Sequence, residues 1–305
     1  MTDNFHFRVL LYYQYVSIDD HRTMAQKHLN FCKELGLRGR IVIAPEGING
    51  TVSGTIEQTD RYIAHMHADP RFADMWFKSD LVPDHVFKKM FVRARNEIVT
   101  LDWEETINPN ETTGQYLNPV EFHRMLQRDD VIVIDGRNDY EFEMGHFYNA
   151  IRPDVRSFKA FPEWIEQKLS DKKTAPILTY CTGGIRCEKL SGLMLKQGFK
   201  NVFQLHGGID AYRKDPKVKG DLFEGKCYVF DDRIGVPVNH VNPTVITHCK
   251  HCGVVTDRFA NCAHLDCHTR FYVCEDCERK FRRSCSSACA EAEHHEWNVA
   301  DTASL

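Results

Sequence analysis

One cysteine of this chain lies among residues that would make it reactive. The segment APILTYCTGGIRCEK places Cys181 directly after a predicted buried strand and before a predicted helix. In open α/β sheets, ligands bind at the carboxyl ends of the strands, which is where this cysteine falls. Gly183 and Gly184 allow the backbone to curl so that its N–H groups face inward, and the following helix adds the positive end of its dipole. The sequence therefore predicts an anion-binding loop around a sulfur atom.

The same loop carries a cation and a second thiol. Arg186, predicted at the rim, favours the thiolate form of Cys181, and such a loop suits a persulfide, a sulfenate or a thioether adduct. The four residues between Cys181 and Arg186 are one fewer than cysteine-dependent phosphatases use to enclose a phosphate. Cys187 is either the thiol that resolves an oxidised Cys181 or a small residue packed on the sheet. The predicted catalytic residues are Cys181, Arg186 and Cys187, and the predicted substrate-binding residues are Thr182, Gly183, Gly184 and Ile185.

A second group of cysteines lies near the C-terminus, where eight of the twelve fall between positions 249 and 289. Eight thiolates in four pairs suffice for two tetrahedral zinc sites, which would stabilise a region with little core of its own. Treble-clef and cross-brace pairings both fit. The triplet His264-Leu265-Asp266 has the spacing of an iron-binding motif, but we interpret it as a loop between zinc ligands. The predicted ligands are Cys249, Cys252, Cys262, Cys267, Cys274, Cys277, Cys285 and Cys289, and a thiolate could be replaced by His248, His251, His264 or His268.

The elements predicted around these cysteines divide the chain into four parts. Residues 1–101 alternate in the order βαββαβ, as in ferredoxin-like and acylphosphatase-like α+β domains. Residues 102–119 are polar and hold two prolines, which is typical of a linker. Residues 120–225 alternate buried strands with helices, which predicts an α/β domain with a parallel sheet. Residues 226–305 form a linker and the cysteine-rich region, and the stretch 213–248 is predicted to be irregular.

Composition excludes several classes of protein. The 305 residues carry 39 basic and 43 acidic side chains, a formal charge of −4, so a strongly basic nucleic-acid-coating protein is excluded. The N-terminal sequence lacks the pattern of a secretion signal, and no apolar run approaches the ~20 residues that a bilayer requires. We therefore expect a cytoplasmic protein without a membrane partner. No flavin, haem or nicotinamide motif is seen.

Three segments, in order along the chain, resemble the motifs of rhodanese domains. CTGGIR resembles the six-residue active loop of that family, VIVIDGRNDYEFEMGHFYNAI its upstream signature and LHGGIDAY its terminal one. The resemblance implies that Cys181 is the catalytic cysteine. Asp135, Arg137, Glu141 and His146, which lie in the upstream signature, are interpreted as residues that hold the domain together.

A wider resemblance covers most of residues 5–240. APEGINGT, FVRARNEIVTL, CTGGIRCEK and CYVFDDRIGV together resemble the bacterial tRNA uridine 5-hydroxylase family. This resemblance implies hydroxylation of the wobble uridine in the tRNA anticodon loop to 5-hydroxyuridine, with molecular oxygen as cosubstrate and the rhodanese cysteine essential. Gly136, where that family more usually has an aliphatic residue, and the richness of the C-terminus in cysteine depart from the pattern.

The chemistry of uracil leaves two routes open. A thiolate at Cys181 could add to the electrophilic C6 and activate C5 toward an oxygen species, or an oxidised sulfur could deliver the oxygen. Two rival functions are a thiosulfate- or persulfide-type sulfurtransferase and a non-catalytic zinc-bearing scaffold. The intact Cys181 and Arg186 argue against the scaffold. Basic residues of the first domain are interpreted as ordinary solvated charges; these are Arg38, Arg40, Lys88, Lys89, Arg93 and Arg95.

Overall fold

The computed structural model describes residues 5–101 and 103–297, and the first of its sheets has five strands. The elements of this part are β1 (Phe7–Tyr15), α1 (His21–Glu34), β2 (Arg38–Ala44), β3 (Gly47–Thr55), α2 (Ile56–His67), β4 (Lys78–Val82) and β5 (Met90–Ala94). The strand order is β4-β1-β3-β2-β5. Neighbouring strands are antiparallel except β2 and β5, which are parallel. The predicted βαββαβ order is confirmed, and β5 extends it by one strand.

β1 is apolar on both faces because each face of the sheet is covered. Successive side chains of a strand point to opposite faces. Leu10 and Tyr12 are fully buried in the core that the sheet forms with α1 and α2. Leu11, Tyr13 and Tyr15 point the other way, toward the loop that carries the predicted nucleophile. The first sheet therefore serves as one wall of the candidate site.

A second, four-stranded sheet lies in the middle of the chain. Its region contains β6 (Gln115–Leu117), α3 (Pro119–Leu126), β7 (Ile132–Asp135), α4 (Asp139–Met144), β8 (Gly145–Phe147), α5 (Phe161–Leu169), β9 (Pro176–Tyr180), α6 (Ile185–Lys196), β10 (Asn201–Leu205) and α7 (Gly208–Lys214). The order is β6-β10-β9-β7, and every pair is parallel. Parallel strands need crossover connections, which the intervening helices supply. The predicted parallel α/β sheet is confirmed.

The expectation of irregular structure over residues 213–248 is wrong in part. α7 continues to Lys214, and two strands follow, β11 (Phe223–Tyr228) and β12 (Gly235–Pro237). β11 pairs with β12 on one side and with β8 on the other. Its sequence FEGKCY does not alternate between apolar and polar residues, and its hydrogen bonds run to β8, which lies far away along the chain. The local sequence therefore gives no signal for this strand.

The cysteine-rich region has little regular structure. It contains β13 (Phe259–Asn261) and β14 (Arg270–Tyr272), which form an antiparallel pair, and the short helices α8 (Glu275–Lys280) and α9 (Ser287–Ala290). Most of its buried cluster consists of cysteine side chains, with Ala260, Phe271 and Val273 as the other fully buried members. A region with so few apolar residues depends on its sulfur atoms for a core.

The predicted linker packs closely on α6. Ile107 is buried beside Leu190 and Leu193, and the Gly114 N–H donates a hydrogen bond of 2.7 Å to Ser191 Oγ. β6 lies inside this segment. The division at residues 101, 119 and 225 stays a prediction. In the described part of the chain, the longest helix has 14 residues, and none is long and apolar enough to cross a membrane.

Candidate active site

Cys181 begins the loop that connects β9 to α6, at the carboxyl end of a central strand. Gly184 is the residue before the helix and has φ of +103°, a conformation that side-chain-bearing residues rarely adopt. This turn points the Gly184 N–H at the sulfur, 3.2 Å from Sγ. The predicted inward curl of the loop therefore places a backbone donor on the thiol.

The first residues of α7 also hold the loop in place. The N–H groups of Ile209 and Asp210 in α7 donate to the carbonyl oxygens of Cys181 and Thr182, at 2.9 and 3.0 Å. A Cβ on Gly208 would lie 2.5 Å from the Cys181 carbonyl oxygen, so only glycine fits there. The motif LHGGIDAY thus packs directly against the active loop and fixes its carbonyl groups.

The environment of Cys181 favours the thiolate, although its side chain has no exposed surface. Burial alone would raise the pKa of this thiol. A hydrogen bond from the Cys187 thiol, the charge of Arg186 and the backbone N–H groups of both residues outweigh burial and lower the pKa to about 5. At neutral pH the sulfur is therefore ionised, which is its nucleophilic form.

The sequence predicts Arg186 at the rim of the loop, and this prediction is wrong. Arg186 is buried against α4. Its two terminal nitrogens donate to Glu141 at 2.6 and 2.8 Å, and one of them lies 3.3 Å from Thr182 Oγ1. Glu141 is fully buried, and Arg186 keeps the pKa of that carboxyl below its ordinary value despite burial. Arg186 is a fixed, partly neutralised charge beneath the loop, because bidentate pairing holds a guanidinium rigidly.

Cys187 lies in the first turn of α6 and is fully buried. Its thiol is hydrogen-bonded to Cys181, and burial together with that neighbouring charge raises its pKa well above the ordinary value. One thiol of the pair is thus held ionised and the other protonated. A disulfide forms when a thiolate attacks an oxidised sulfur, so Cys187 must lose its proton before it can attack an oxidised Cys181.

Three of the residues interpreted as structural lie behind the loop. Arg137 and Asp135 form a fully buried ion pair, with Nη2 2.6 Å from Oδ2, and Arg137 also donates to the Gly145 carbonyl oxygen at 2.6 Å. His146 Nδ1 lies 2.9 Å from the Phe142 carbonyl oxygen. These contacts join residues of one domain to each other, whereas Glu141 reaches the loop cation itself.

The first domain covers the active loop. Lys78 of β4 is buried, and its Nζ donates to the Gly183 carbonyl oxygen at 2.6 Å. The same ammonium lies 5.2 Å from the ring centre of Tyr13 and 5.1 Å from that of Trp76. Burial lowers the pKa of Lys78 to about 8, although Asp210 and Cys181 act in the opposite direction. A side chain from one domain therefore helps to hold the loop of the other.

Two tyrosines of β1 complete this cover. Tyr13 donates to Glu188 Oε1 at 2.8 Å, and Tyr15 donates to the Ile185 carbonyl oxygen at 3.1 Å. Burial raises the pKa of both phenols well above the ordinary value, so both are protonated donors. Sequence reasoning missed Lys78, Tyr13 and Tyr15, because they belong to a strand pattern without any signal for a distant loop.

The predicted substrate-binding residues surround the sulfur but are not equally open. Gly183 and Gly184 are buried, whereas Thr182 and Ile185 are half-buried. Thr182 lines a cavity of about 50 Å³ together with Leu11 and Thr51 of the first domain. The cavity lies between the two domains, on the Thr182 side of the loop.

The eight clustered cysteines form two groups of four, and within each group the ligand atoms lie within 4.8 Å of one another. The groups are Cys249, Cys252, Cys274 and Cys277, and Cys262, Cys267, Cys285 and Cys289. The pairs alternate along the chain, which is the cross-brace pairing. Neighbouring sulfurs lie 3.5 to 3.7 Å apart, close to the ~3.8 Å expected around a tetrahedral ion with Zn–S bonds of about 2.3 Å.

The predicted histidine alternatives lie outside both groups. His251 Nε2 is 2.9 Å from the Ser284 carbonyl oxygen, and its ring stacks on Phe281. His264 lies 3.7 Å from Asp266, which also contacts His294 at 3.0 Å. All twelve cysteines lie in the described ranges, and all are free thiols. The donor sets, eight thiols in two compact tetrads, fit a metal ion that prefers sulfur.

Sequence families match three consecutive parts of the chain. Residues 7–98 match the UPF0176 acylphosphatase like domain, residues 118–215 the rhodanese-like domain, and residues 224–290 the rhodanase C-terminal family. Fold and site together therefore define a rhodanese-domain protein with an acylphosphatase-like N-terminal domain. The predicted fold class is confirmed.

Relatives of known name extend over nearly the whole length. A tRNA uridine(34) hydroxylase of Bacillus licheniformis is 54% identical over 93% of this chain and 88% of its own length. One of Staphylococcus aureus is 52% identical over 98% of this chain and 94% of its own. A solved structure, the Alr3790 protein of Anabaena sp., is 21% identical over 36% of this chain and 91% of its own, with a TM-score of 0.31. This chain belongs to the tRNA uridine(34) hydroxylase family.

Proposed function

We propose that this chain hydroxylates C5 of the wobble uridine of tRNA, in the cytoplasm, with molecular oxygen as cosubstrate and Cys181 as nucleophile. The observation that supports this most strongly is the buried thiolate of Cys181, held by the Gly184 N–H and the Arg186 charge, in a chain of this family. A uracil ring is electrophilic at C6, and an ionised sulfur is the group that can attack it.

Two routes use this thiolate. In one, the sulfur adds to C6, the C5–C6 double bond breaks, and C5 takes an oxygen atom; loss of the C5 proton then expels the thiolate and restores the double bond. In the other, Cys181 is first oxidised to a sulfenic acid, whose oxygen passes to C5. Either route places one oxygen atom of O₂ on uridine and releases the other as water.

The overall reaction also needs two electrons and two protons, and Cys187 is positioned to help supply them. Once Cys181 has left the base, oxidation of its thiolate and the Cys187 thiol to one disulfide provides two electrons and one proton, and water provides the second proton. External thiols then reduce the disulfide for the next turnover. The hydrogen bond between the two side chains supports this assignment. Arg186 acts on the Cys181 charge and is proposed as a positioning residue.

For the substrate to reach Cys181, side chains of the first domain that lie over the loop must move aside. Cys181 has no exposed surface, and Leu11, Tyr13 and Lys78 lie over the glycines of its loop. An anticodon loop presents unstacked bases, so a single flipped uridine can enter a site that a duplex cannot. We propose that the anticodon loop displaces these side chains and that Thr182, Gly183, Gly184 and Ile185 then contact the base.

The cysteine-rich region has a structural role in this proposal. Two zinc ions, one in each tetrad, would replace the apolar core that the region lacks. We also propose functional units at 1–101, 120–225 and 226–305, joined by 102–119. The first unit serves substrate access, the second chemistry, and the third stability.

Mass spectrometry of nucleosides from tRNA incubated with the protein in air and under nitrogen tests the proposal. Wild-type protein with a thiol reductant should add one oxygen to uridine only in air. Cys181→Ala should add none. If uridine stays unchanged in air while Cys181 takes up sulfur from thiosulfate, the chain is a sulfurtransferase and the proposal is wrong.

A further inference from the structure

One face of the first sheet is covered by the Cys181 loop over only some of its strands. Its α-helical side is packed on α1 and α2. On the opposite side, β4 and β1 lie against the Cys181 loop, through Lys78 and Leu11 among others. β2 and β5 continue that same face beyond the contact. Four arginines stand there, and all are exposed: Arg38, Arg40, Arg93 and Arg95.

Strand register puts these arginines on one side. Ile41 and Ile43 of β2 pair with Val92 and Ala94 of β5, and all four pack into the helix-side core. Because side chains alternate along a strand, Arg38, Arg40 and Arg93 must point away from that core, and Arg95 continues the same alternation just after β5. Sequence alone could not show this, since β2 and β5 are separated by two other strands and a helix.

The arginines of this surface have no carboxylate partner among the described residues. Within residues 5–101 and 103–297, no carboxylate oxygen lies within 4.0 Å of any of the four guanidinium groups. An exposed aromatic ring lies among them: Phe91 is 42% exposed and is the register partner of Arg40. The Arg93 guanidinium carbon lies 5.7 Å from the centre of that ring.

The surface also runs up to the active loop. Arg40 pairs with Thr51 of β3, and Thr51 lines the cavity that Thr182 lines from the other domain. Thr182 directly follows Cys181. A path along one sheet face therefore leads from the exposed arginines and Phe91 to the predicted nucleophile.

We propose that this surface, defined by Arg38, Arg40, Phe91, Arg93 and Arg95, binds the substrate RNA, with the arginines on phosphates and Phe91 stacked on a base. Fixed cations supply the sequence-independent part of RNA binding, and a ring on a sheet face offers an unstacked base a platform. This inference rests on the proposed function, since it names the surface that brings tRNA to Cys181.

Two variants with equal changes of charge test it. The surface variant replaces Arg38, Arg40, Arg93 and Arg95 with glutamine. The control variant makes the same replacement at four exposed basic residues of the helical side of that domain: Arg22, Lys27, Lys33 and Arg61. Both are made in the Cys181→Ala chain, so that unmodified tRNA is bound and not converted. Fluorescence anisotropy then gives the dissociation constant across a series of salt concentrations.

The surface variant should bind tRNA at least about tenfold more weakly at ~0.1 M salt than the control variant. Its plot of log affinity against log salt should also be shallower by about 3 units, because each lost phosphate contact removes about 0.7 to 0.9. Phe91→Ala should cost about fivefold or more at every salt concentration, and Phe91→Tyr should restore binding. Thermal unfolding of every variant should match that of the parent chain.

Equal affinity and equal salt slope in the surface and control variants would overturn the inference. That result is distinguishable from failure of the proposed function, because wild-type protein is assayed for uridine hydroxylation separately. A chain that hydroxylates tRNA while the surface variant binds like the control has the proposed activity but another RNA-binding surface.

Discussion

Cys181 and the eight tail cysteines place the same side chain in two opposite settings. Cys181 is a single sulfur whose charge is met by the Gly184 N–H, by Arg186 and by a neighbouring thiol. In the tail, four ligand sulfurs crowd within 4.8 Å in each group, so that each sulfur has three other sulfurs close to it. The first setting stabilises one negative charge; the second accumulates several.

The two settings show which group must compensate the negative charge of each kind of thiolate. Backbone dipoles and a guanidinium can compensate one anion and leave the sulfur chemically available. Four thiolates repel one another unless a multivalent cation lies between them, and coordination then occupies their lone pairs. The two settings thus differ in what compensates the charge on the sulfur and not in burial, since buried cysteines occur in both.

The largest expected effect is loss of the reactive sulfur. Cys181→Ala should reduce formation of 5-hydroxyuridine below detection, because no other thiol of the loop is ionised. Cys32→Ala is the matched control, since Cys32 is buried in α1 and burial raises its pKa to about 12. It should keep full activity by nucleoside mass spectrometry. Comparable activity in the two variants would remove Cys181 from the chemistry.

Removal of a tail sulfur should come next and should leave the thiolate of Cys181 intact. Cys252→Ser should lower the metal content from about two ions per chain to about one. It should also make the tail sensitive to protease, since zinc binding contributes about 10 to 16 kcal/mol to small zinc-dependent folds. Elemental analysis and limited proteolysis measure both effects. His248→Ala, which changes an exposed neighbour of Cys249, should keep two ions, and its loss of metal would reject the all-cysteine ligand set.

Breaking the ion pair beneath the loop should have a smaller effect. Glu141→Gln leaves the Arg186 charge buried without its carboxylate, which typically lowers the free energy of unfolding by about 3 to 5 kcal/mol. Denaturant unfolding measures this change. Glu163→Gln, at an exposed position of α5, should change it by less than about 0.5 kcal/mol. Equal stabilities of these two variants would contradict a buried, structurally required pair.

The smallest expected effect is on the titration of Cys181. Its pKa is lowered from 9.0 to about 5, so the thiolate stabilises the fold fully above pH 9.0, and this contribution is lost as the pH falls to about 5. Cys187→Ala removes one hydrogen bond to the Cys181 sulfur and should therefore raise that pKa. Ultraviolet absorbance of the thiolate, taken as the difference from Cys181→Ala, measures both curves. Identical curves with and without Cys187 would show that the two thiols do not interact.

Local patterns in the sequence were sufficient for most of the elements of the first two domains and for the chemistry proposed at each cysteine site. The run PILTY predicts a buried strand, and the glycines after Cys181 predict a turn into a helix, because backbone preferences act over a few residues. Eight closely spaced cysteines likewise indicate metal binding without knowledge of their partners. β11 escaped prediction because its pairing with β8 leaves no pattern of its own.

Only the tertiary structure decided which of these residues meet. Arg186 and Glu141 are 45 positions apart, and Lys78 and Gly183 are 105 apart. The cross-brace pairing of the tetrads and the alignment of four arginines on one sheet face depend in the same way on how strands and helices are arranged. Residue type and spacing therefore indicated a cysteine in a Gly-rich strand-to-helix loop and a tail with enough thiols to hold metal ions. Packing of distant segments determined the charge around each sulfur, because electrostatic and hydrogen-bond partners act through space and not along the chain.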